Sequence, residues 1–425
     1  MNALKRQLTL KDGISLAFGS VIGSGILFLP SLTVAISGAY TLWVWIITTL
    51  LCIPLVYIFT DMVKEIPNES GIEGFVSSGL GKRVGATIPI IFLGTVSFGM
   101  PASALIVGEY VRNLLGGGIY TQMLIAFLIV CNGVIANLNG VKTGANVQLA
   151  VTFLIFLVGV LLLIFAFPTG FGRGSMSFSP DMSVIVPGIV VAFWAFAGFE
   201  NLTFIAGEFK NPARDFKLSM FVALFLAGLL YLLLSESCAT LIPQDKINPI
   251  AGLYQLSETI SPKYLSTFII TLFAFLAVQI NFNSWIWGIS RLIYSSAKQN
   301  KLPIYFSVLN KKQIPARAVL LLASLFFIVL LVSMLFPHFL KTILVAVSTN
   351  FVFIYMLCLI SYVFFKKWSF LKIVSIGLLI LFASLLWSSK WLVFYPIFLF
   401  VFGWVINLLF YSNKTDNVKP SGQNL

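Results

Sequence analysis

The sequence predicts an all-α integral membrane protein with twelve transmembrane helices. Of its 425 residues, 59% are hydrophobic and only 10% are charged. The mean hydropathy of +0.99 is higher than a water-soluble domain of this size tolerates on its surface. The third observation is a regular succession of apolar segments, each close to the roughly 20 residues that a membrane-spanning helix needs.

Twelve such segments follow one another along the chain. They are residues 13–37, 41–62, 87–113, 119–139, 144–167, 184–208, 217–241, 265–297, 317–336, 342–365, 371–388 and 392–411. The basic residues before the first span resemble the start of a signal peptide, but the apolar run reaches about Ile36 and further spans follow. We therefore predict a retained first helix. The polar residues 413–425 predict a short disordered tail.

Twelve spans place both termini on one side of the membrane, and the basic residues indicate which side. Twenty-one of the 27 Lys and Arg residues fall on the side of the termini, and six fall on the other side. By the positive-inside rule, both termini are predicted to be cytoplasmic. The net charge of +13 is then an orientation signal, and binding to nucleic acid is not predicted.

The first span is interrupted near its middle by Gly23, Ser24 and Gly25. Glycine lowers helix stability there and permits backbone angles that other residues avoid. A helix break at this depth is tolerated only where it faces protein or a water-filled cavity. Taken alone, the stretch fits a small-residue packing face between helices equally well.

A second interruption lies in the sixth span, where Ala197-Gly198 precedes Glu200-Asn201 in an otherwise apolar segment. A carboxylate at membrane depth is costly and indicates a functional site. Interrupted helices five spans apart are typical of inverted-repeat transporters. The glycines and serine of the first break then leave free N–H groups that bind an anionic substrate group near the membrane midplane.

At this point the chain resembles the amino acid-polyamine-organocation superfamily of transporters along essentially its whole length. Four motifs in the expected order carry the resemblance. They are Gly23-Ser-Gly-Ile-Leu with Pro30, Phe193-Trp-Ala-Phe-Ala-Gly-Phe-Glu200, Glu208-Phe-Lys-Asn-Pro-Ala-Arg214, and Arg291-Leu-Ile-Tyr294 through Lys301-Leu-Pro303, Phe306, Asn310 and Pro315.

The resemblance implies a LeuT-like 5+5 inverted repeat with helices 1 and 6 broken, plus two extra helices. Residues 1–167 form the first five-helix repeat and residues 168–368 the second, inverted one. Residues 369–412 supply helices eleven and twelve, and 413–425 the cytoplasmic tail.

Two further stretches, Ser70–Gly81 and Phe98-Gly-Met-Pro-Ala102, are most similar to bacterial inner-membrane exporters of methionine and branched-chain amino acids. This similarity implies neutral, apolar substrates and a bacterial inner membrane. The sixth span is also similar to that of arginine/agmatine antiporters. In that comparison Trp194 matches the position of a gating aromatic residue, and Glu200 matches that of a glutamate implicated in proton coupling. A cationic amino acid or amine antiporter is therefore the alternative.

The expected substrate site combines both breaks with the third span. The first break is expected to bind the substrate carboxylate and the second its amine, while packing kinks are the structural alternative. Phe98 and Met100 line an apolar side-chain pocket or are ordinary core. The candidate substrate-binding residues are Ile22, Gly23, Ser24, Gly25, Phe98, Met100, Trp194, Ala197, Gly198 and Phe199.

Glu200 is the leading candidate for proton coupling, and Glu109 and Glu236, nearer the outer ends of their spans, are weaker candidates. Many relatives carry a coupling lysine in helix five after a Gln and a Thr, but here Gln148 and Thr152 are followed by Ile155 at the matching place. The structural alternative is that Glu200 holds the break open without changing its charge. Two polar patches are either interhelical contacts or pathway lining: Gln279, Asn281, Asn283 and Ser284, and Ser348, Thr349 and Asn350.

Other functional classes fit less well. One histidine, His338 in a predicted loop, and four scattered cysteines predict no enzyme, no metal site and no disulfide. No P-loop and no other cofactor motif is present in the sequence. A nutrient sensor on the same fold would keep the site, but we expect such a protein to carry more than a short polar tail. The expected partners are an amino acid, protons and the lipid bilayer, and no oligomeric state is indicated.

Overall fold

The computed structural model describes residues 6–23, 25–66, 70–139, 141–166, 181–249, 251–259, 263–336 and 339–415. Within these ranges the chain is helical and contains no β-strand; a single parallel bridge joins Leu8 to Phe209. The helices are α1 (Leu10–Val21), α2 (Gly25–Ser37), α3 (Thr41–Glu65), α4 (Ile72–Leu80), α5 (Lys82–Gly85), α6 (Ile88–Leu115), α7 (Ile119–Asn139), α8 (Val141–Ala166), α9 (Met182–Phe193), α10 (Lys217–Leu241), α11 (Gly252–Thr259), α12 (Lys263–Lys298), α13 (Ala316–Leu335), α14 (Phe339–Phe365), α15 (Phe370–Ser388) and α16 (Phe394–Thr415).

Ten helical segments of the described chain are long and apolar enough to cross a membrane, so this is a multi-pass membrane protein. The number is smaller than the predicted twelve for two reasons. The run Gly25–Glu65 joins the second half of the first predicted span to the second span without a gap. In α8, the apolar stretch counted within the described residues is Gln148–Leu161, which is too short to be counted as a span.

The bounds of the uninterrupted helices follow the apolar runs closely. α7 and α10 begin and end at the predicted residues. α16 continues to Thr415, past the predicted end at residue 411, and the remaining tail residues 416–425 lie outside the described chain. The predicted boundary between the two repeats, at 167 and 168, also lies outside it. Helix bonds within each segment satisfy the backbone polar groups that lipid cannot.

The third predicted span, α6, lies at the centre of the bundle. Its apolar window is 78% buried, against 22% for α15 and 28% for α16, which lie at the periphery. α6 packs against α7, α12, α13, α14 and α16, and α1 packs against α8, α10 and α12. The two interrupted segments therefore lie inside a ring of helices, where broken backbone meets protein and not lipid.

Candidate functional site

The break in the first span lies between α1 and α2. α1 ends at Val21, and Ile22 has an extended backbone with φ −81° and ψ 106°. The carbonyls of Gly19 and Ser20, freed by the break, accept hydrogen bonds from the Asn281 side-chain amide at 3.0 and 2.9 Å. The Trp285 indole N–H also donates to the Ser20 carbonyl at 3.0 Å. Side chains of α12 therefore cap the open end of α1.

The break in the sixth span follows α9. A 3-10 turn, Trp194–Phe196, leads to Ala197 in an extended conformation and Gly198 at φ +132°, and a second 3-10 segment, Phe199–Glu208, continues the span. Position 198 requires glycine because a side chain rarely adopts this φ, and because an added Cβ would collide with the carbonyl of Ser20. The two breaks are thus in direct contact.

Glu200 is fully buried at the second break. Its Oε2 accepts hydrogen bonds from the Gly198 N–H at 2.9 Å and from the Tyr355 hydroxyl of α14 at 2.5 Å. Oε1 has no hydrogen-bond partner in the described part of the chain. The carboxylate therefore caps the break and links it to α14, while one of its oxygens stays free to take a proton.

Asn201, which follows Glu200, does not contact that carboxylate. Its side-chain amide donates to the Ser284 carbonyl of α12 at 2.8 Å. α12 therefore holds both broken segments, the first through Asn281 and Trp285 and the second through the backbone of Ser284.

A cavity lies between the two breaks, with about 570 Å³ of empty space that includes space open to solvent. None of the described residues that line it carries a charged side chain. Its polar groups come from Ser20, Thr95, Ser103, Tyr231 and Asn281. Its apolar wall is formed by Val21, Val96, Met100, Trp194, Ala195, Ala197, Trp285, Val347 and Phe351.

Five of the candidate substrate-binding residues line this cavity: Gly23, Gly25, Met100, Trp194 and Ala197. Ile22 and Phe199 are buried but are not part of the lining, and Gly198 contacts the backbone of Ser20. Ser24, like the predicted loop residue His338, lies outside the described residues.

Phe98 does not belong to this group. Its ring packs edge-on against Tyr395 of α16, with centroids 6.0 Å apart, and it is absent from the cavity wall. Met100, two residues further along α6, lines the cavity instead. The reason is helical geometry, since residues two apart on a helix point about 200° apart.

Several lining residues were not singled out from the sequence. Thr95, Gly99 and Ser103 recur every four residues and share one face of α6. This spacing of small residues in an apolar span was a usable signal. The sequence holds no comparable signal for Tyr231 and Tyr355, because a tyrosine among leucines or phenylalanines does not indicate which residues it faces across the bundle.

Tyr231 contributes a hydroxyl to the cavity that has no hydrogen-bond partner in the described chain. Its ring stacks on Trp45 of α3 at 4.7 Å and 10°. The stacked ring is fixed in place by this contact, so the hydroxyl is held at the cavity wall. A buried hydroxyl without a partner costs free energy unless a ligand satisfies it.

Trp194 lies between this cavity and a second one. Trp194, Ala197 and Phe351 line both, and the second is completed by residues of α9, α14 and α15, among them Phe193, Thr349 and Tyr355. The Trp194 ring also contacts Phe28 of α2, with centroids 5.2 Å apart. The Trp194 side chain therefore forms part of the boundary between the two cavities.

The opposite end of the bundle, which carries the start of α1, is closed by buried ion pairs. Arg291 Nε lies 2.9 Å from Glu208 Oε1, and both side chains are almost fully buried. Lys301 pairs with Glu73, which also accepts a hydrogen bond from Ser296 at 2.5 Å. Burial raises the pKa of the Glu73 carboxyl, and Lys301 partly offsets this. These contacts join α4, α12 and the end of the sixth span.

The polar residues of the predicted fifth span form a neutral network. The Gln148 amide donates to the Ser15 carbonyl of α1 at 3.1 Å and to the Ser284 hydroxyl of α12 at 2.6 Å. The hydroxyls of Thr152 and Ser15 lie 3.2 Å apart. Asn283 donates to the Gln148 carbonyl oxygen. Amides therefore tie α8 to α1 and α12, and Ile155 is buried.

Comparison with known proteins agrees with this architecture. A family model described as amino acid permease matches residues 8–421. The uncharacterized amino acid permease YecA of Bacillus subtilis (strain 168) is 29% identical over 354 residues, which cover 82% of each chain. The L-methionine/branched-chain amino acid exporter YjeH of Escherichia coli (strain K12) is 26% identical over 375 residues, or 85% of this chain and 86% of that one. The cadaverine/lysine antiporter of the same organism is 20% identical over 315 residues, or 72% and 70%.

Proposed function

Because this chain belongs to the amino acid permease family, whose members are transporters, we propose that it is a secondary active transporter of neutral, apolar amino acids such as methionine and the branched-chain amino acids. One observation carries the proposal. The cavity between the two helix breaks has an apolar wall, and the described residues that line it include no charged side chain. A cationic or anionic substrate side chain would be desolvated there without a counter-charge, which is costly.

The two breaks are suited to the groups that all amino acids share. The N–H groups at the start of α2, near Gly23 and Gly25, bind the substrate carboxylate, because a helix N-terminus favours negative charge. The carbonyls freed around Ala197, at the end of the 3-10 turn, accept from the substrate ammonium group. The substrate side chain then extends toward Met100, Val96, Val347 and Phe351.

We propose a twelve-helix layout with both termini in the cytoplasm of a bacterial cell. The first span is counted as α1 plus α2, the second as α3, the fifth as α8 and the sixth as α9 with its 3-10 continuation. Helices one to five and six to ten are then two inverted repeats, residues 1–167 and 168–368, followed by α15 and α16. The excess of Lys and Arg on the terminus side supports this orientation in the inner membrane.

We further propose that Glu200 couples transport to protons. It is buried at the second break and hydrogen-bonded to the backbone that shapes the cavity. Gain or loss of its proton therefore changes the hydrogen bonds of the break itself. The described partners of Gln148 include no group that titrates near neutral pH, which favours a carboxylate as the coupling group.

Reconstitution of the purified protein in proteoliposomes tests these proposals. Vesicles are loaded with methionine, leucine or arginine, and radiolabelled amino acid is followed with and without an imposed pH gradient. We expect methionine and leucine to be taken up or exchanged and to respond to the gradient, and arginine to be excluded. Flux of arginine alone would assign the protein to the cationic amino acid or amine antiporters. Binding without flux of any amino acid would indicate a sensor.

A further inference from the structure

A separate, larger cavity opens beside the end of α3, far along that helix from the substrate cavity. It has about 940 Å³ of empty space and lies between α3, the start of α10 and the π-helical turn Pro212–Phe216. Three basic side chains line it, Arg6, Lys64 and Lys217, together with one carboxylate, Asp61. This cluster takes no part in the substrate site described above.

The carboxylate in this cavity, Asp61, already forms an ion pair and a hydrogen bond with neighbouring side chains. Asp61 Oδ2 lies 2.8 Å from Lys366 Nζ and accepts a hydrogen bond from the Tyr362 hydroxyl at 3.1 Å. By contrast, neither Arg6 nor Lys64 forms an ion pair with any described residue, and Lys217 Nζ lies 4.8 Å from the centre of the Tyr57 ring. The cavity therefore carries uncompensated positive charge.

An exposed apolar strip runs from this cavity along the membrane-facing side of the bundle. Leu50, Ile53 and Tyr57 are exposed on α3 at helical spacing, and Leu218 and Phe225 are exposed on the neighbouring helix α10. α3 and α10 pack against each other, so the strip is continuous with the basic cavity. Its width of two helices and its apolar surface suit acyl chains.

We propose that this cavity binds the phosphate headgroup of an anionic phospholipid, whose acyl chains lie along the strip of α3 and α10. A basic pocket between membrane helices at the cytoplasmic side recognises such headgroups by charge, and the bilayer that the chain spans supplies the ligand. Tyr57 joins the two parts, because its ring belongs to the strip and contacts Lys217.

The position of the cavity gives the lipid an effect on the fold. Arg6 immediately precedes Gln7 and Leu8, whose N–H groups donate to the Glu208 carbonyl at 2.8 and 2.9 Å. Lys217 begins α10 directly after the turn that follows the sixth span. A bound headgroup therefore joins the segment before α1, the end of α3 and the start of α10, and stabilises the closed arrangement of this end.

The test measures retained lipid. The full chain is equilibrated with vesicles of phosphatidylcholine and phosphatidylglycerol, extracted in detergent, and analysed for co-purified phospholipid by native mass spectrometry. We expect wild type to retain phosphatidylglycerol selectively. Because each basic residue near an anionic surface contributes about fivefold in affinity, Lys64→Gln/Lys217→Gln is expected to weaken this retention about thirtyfold.

The matched control is Lys82→Gln/Arg83→Gln, which removes two exposed basic residues of α5 that do not line the cavity and is expected to retain lipid as wild type does. Lys64→Arg/Lys217→Arg keeps the charge and is expected to restore retention, which separates loss of the site from loss of the fold. Equal retention by the Gln double variant and wild type would overturn the proposal. The lipid assignment would also be overturned if inorganic phosphate alone protected wild type from thermal unfolding as well as phosphatidylglycerol does. The cavity would then be a pocket for free anions.

Discussion

The hydroxyl of Tyr231 is a polar group held at the wall of an otherwise apolar cavity. Nothing in the described chain satisfies it, although its ring is locked by stacking on Trp45. In a transporter of amino acids, the charged carboxylate or ammonium group of the substrate is the natural partner. A hydrogen bond to a charged group contributes about 1.5–3 kcal/mol.

Tyr231→Phe is therefore expected to weaken methionine binding at least tenfold, on the order of 1.5 kcal/mol or more, without lowering the melting temperature of the substrate-free protein. Binding is measured by calorimetry or scintillation proximity on the purified protein. Tyr110→Phe is the control, since the Tyr110 hydroxyl donates to the Leu27 carbonyl outside the cavity. An unchanged affinity in Tyr231→Phe would show that this hydroxyl does not contact the substrate.

Glu200→Gln separates the two roles open to this carboxylate. A glutamine keeps an oxygen that accepts from Gly198 and Tyr355, so the break is expected to survive, but it does not exchange a proton. We expect methionine exchange to continue and uptake driven by a pH gradient to fall about tenfold or more. The readout is radiolabelled flux with and without the gradient.

The comparison variant for this experiment is Glu236→Gln, which alters another buried carboxylate, on α10, outside the cavity lining. Its gradient-driven uptake is expected to match wild type. If Glu200→Gln keeps full gradient-driven uptake, Glu200 does not couple transport to protons and acts only as a structural cap of the break.

At the scale of single residues, the sequence predicted site residues that interrupt an apolar run. It did not predict those whose side chains fit the apolar run. Gly23, Gly25 and Gly198 stand out because glycine in an apolar helix weakens it. Asn281 was noticed as polar, but its partners Gly19 and Ser20 lie more than 260 positions away, and a one-dimensional pattern holds no record of that pairing. Phe98 and Met100 were equally apolar, and only the rotation of α6 distinguishes them.

At the scale of elements, the interrupted helices act as two halves that end at one point. Gly25 opens the second half of the first span and lies close to both Leu29 and Tyr231. A larger side chain there projects into the cavity and toward the N–H groups proposed for the carboxylate.

Gly25→Leu is therefore expected to reduce methionine flux by at least tenfold while the protein still inserts and purifies. Gly377→Leu on α15 provides the control, because a Cβ at Gly377 meets no atom within 4 Å, and its flux is expected to equal that of wild type. Normal transport by Gly25→Leu would place the substrate elsewhere.

Element bounds were predictable to the extent that lipid dictates them. Uninterrupted spans such as α7 and α10 need a full apolar run, so these helices end where the apolar residues end. The short helices α4 and α11 and the 3-10 form of Phe199–Glu208 were not predicted, because segments of ten residues or fewer are set by packing against neighbours.

At the scale of the whole molecule, the two ends of the bundle differ. The end near the start of α1 is held by Glu208–Arg291 and Glu73–Lys301, whereas a second cavity lies beyond Trp194 toward the other end. Removing one partner of a buried ion pair leaves a charge without compensation and costs about 3–5 kcal/mol. In a bundle that alternates between two states, removing one partner destabilises the state in which the ion pair is buried.

Glu208→Gln is accordingly expected to shift the protein toward a state open at the α1 end. Labelling of a cysteine introduced at Ser20 by a membrane-impermeant maleimide, applied from that end, is expected to accelerate at least tenfold. Glu65→Gln is the control, because its partner Lys366 lies near the surface and exposed pairs contribute little. An unchanged labelling rate in Glu208→Gln would show that this pair does not control access.

The contact between Gly198 and the backbone of Ser20 has a consequence for how such a protein acquires new substrates. Because the two breaks are pressed together with no room for a Cβ, neither is free to vary without disturbing the other. In the binding mode proposed above, that half of the site holds the groups that every amino acid has in common. The α6 and α14 walls carry ordinary side chains, such as Met100 and Val347, that are exchangeable one at a time. We therefore expect substrate preference to change through substitutions in the walls, while substitutions in the breaks abolish transport.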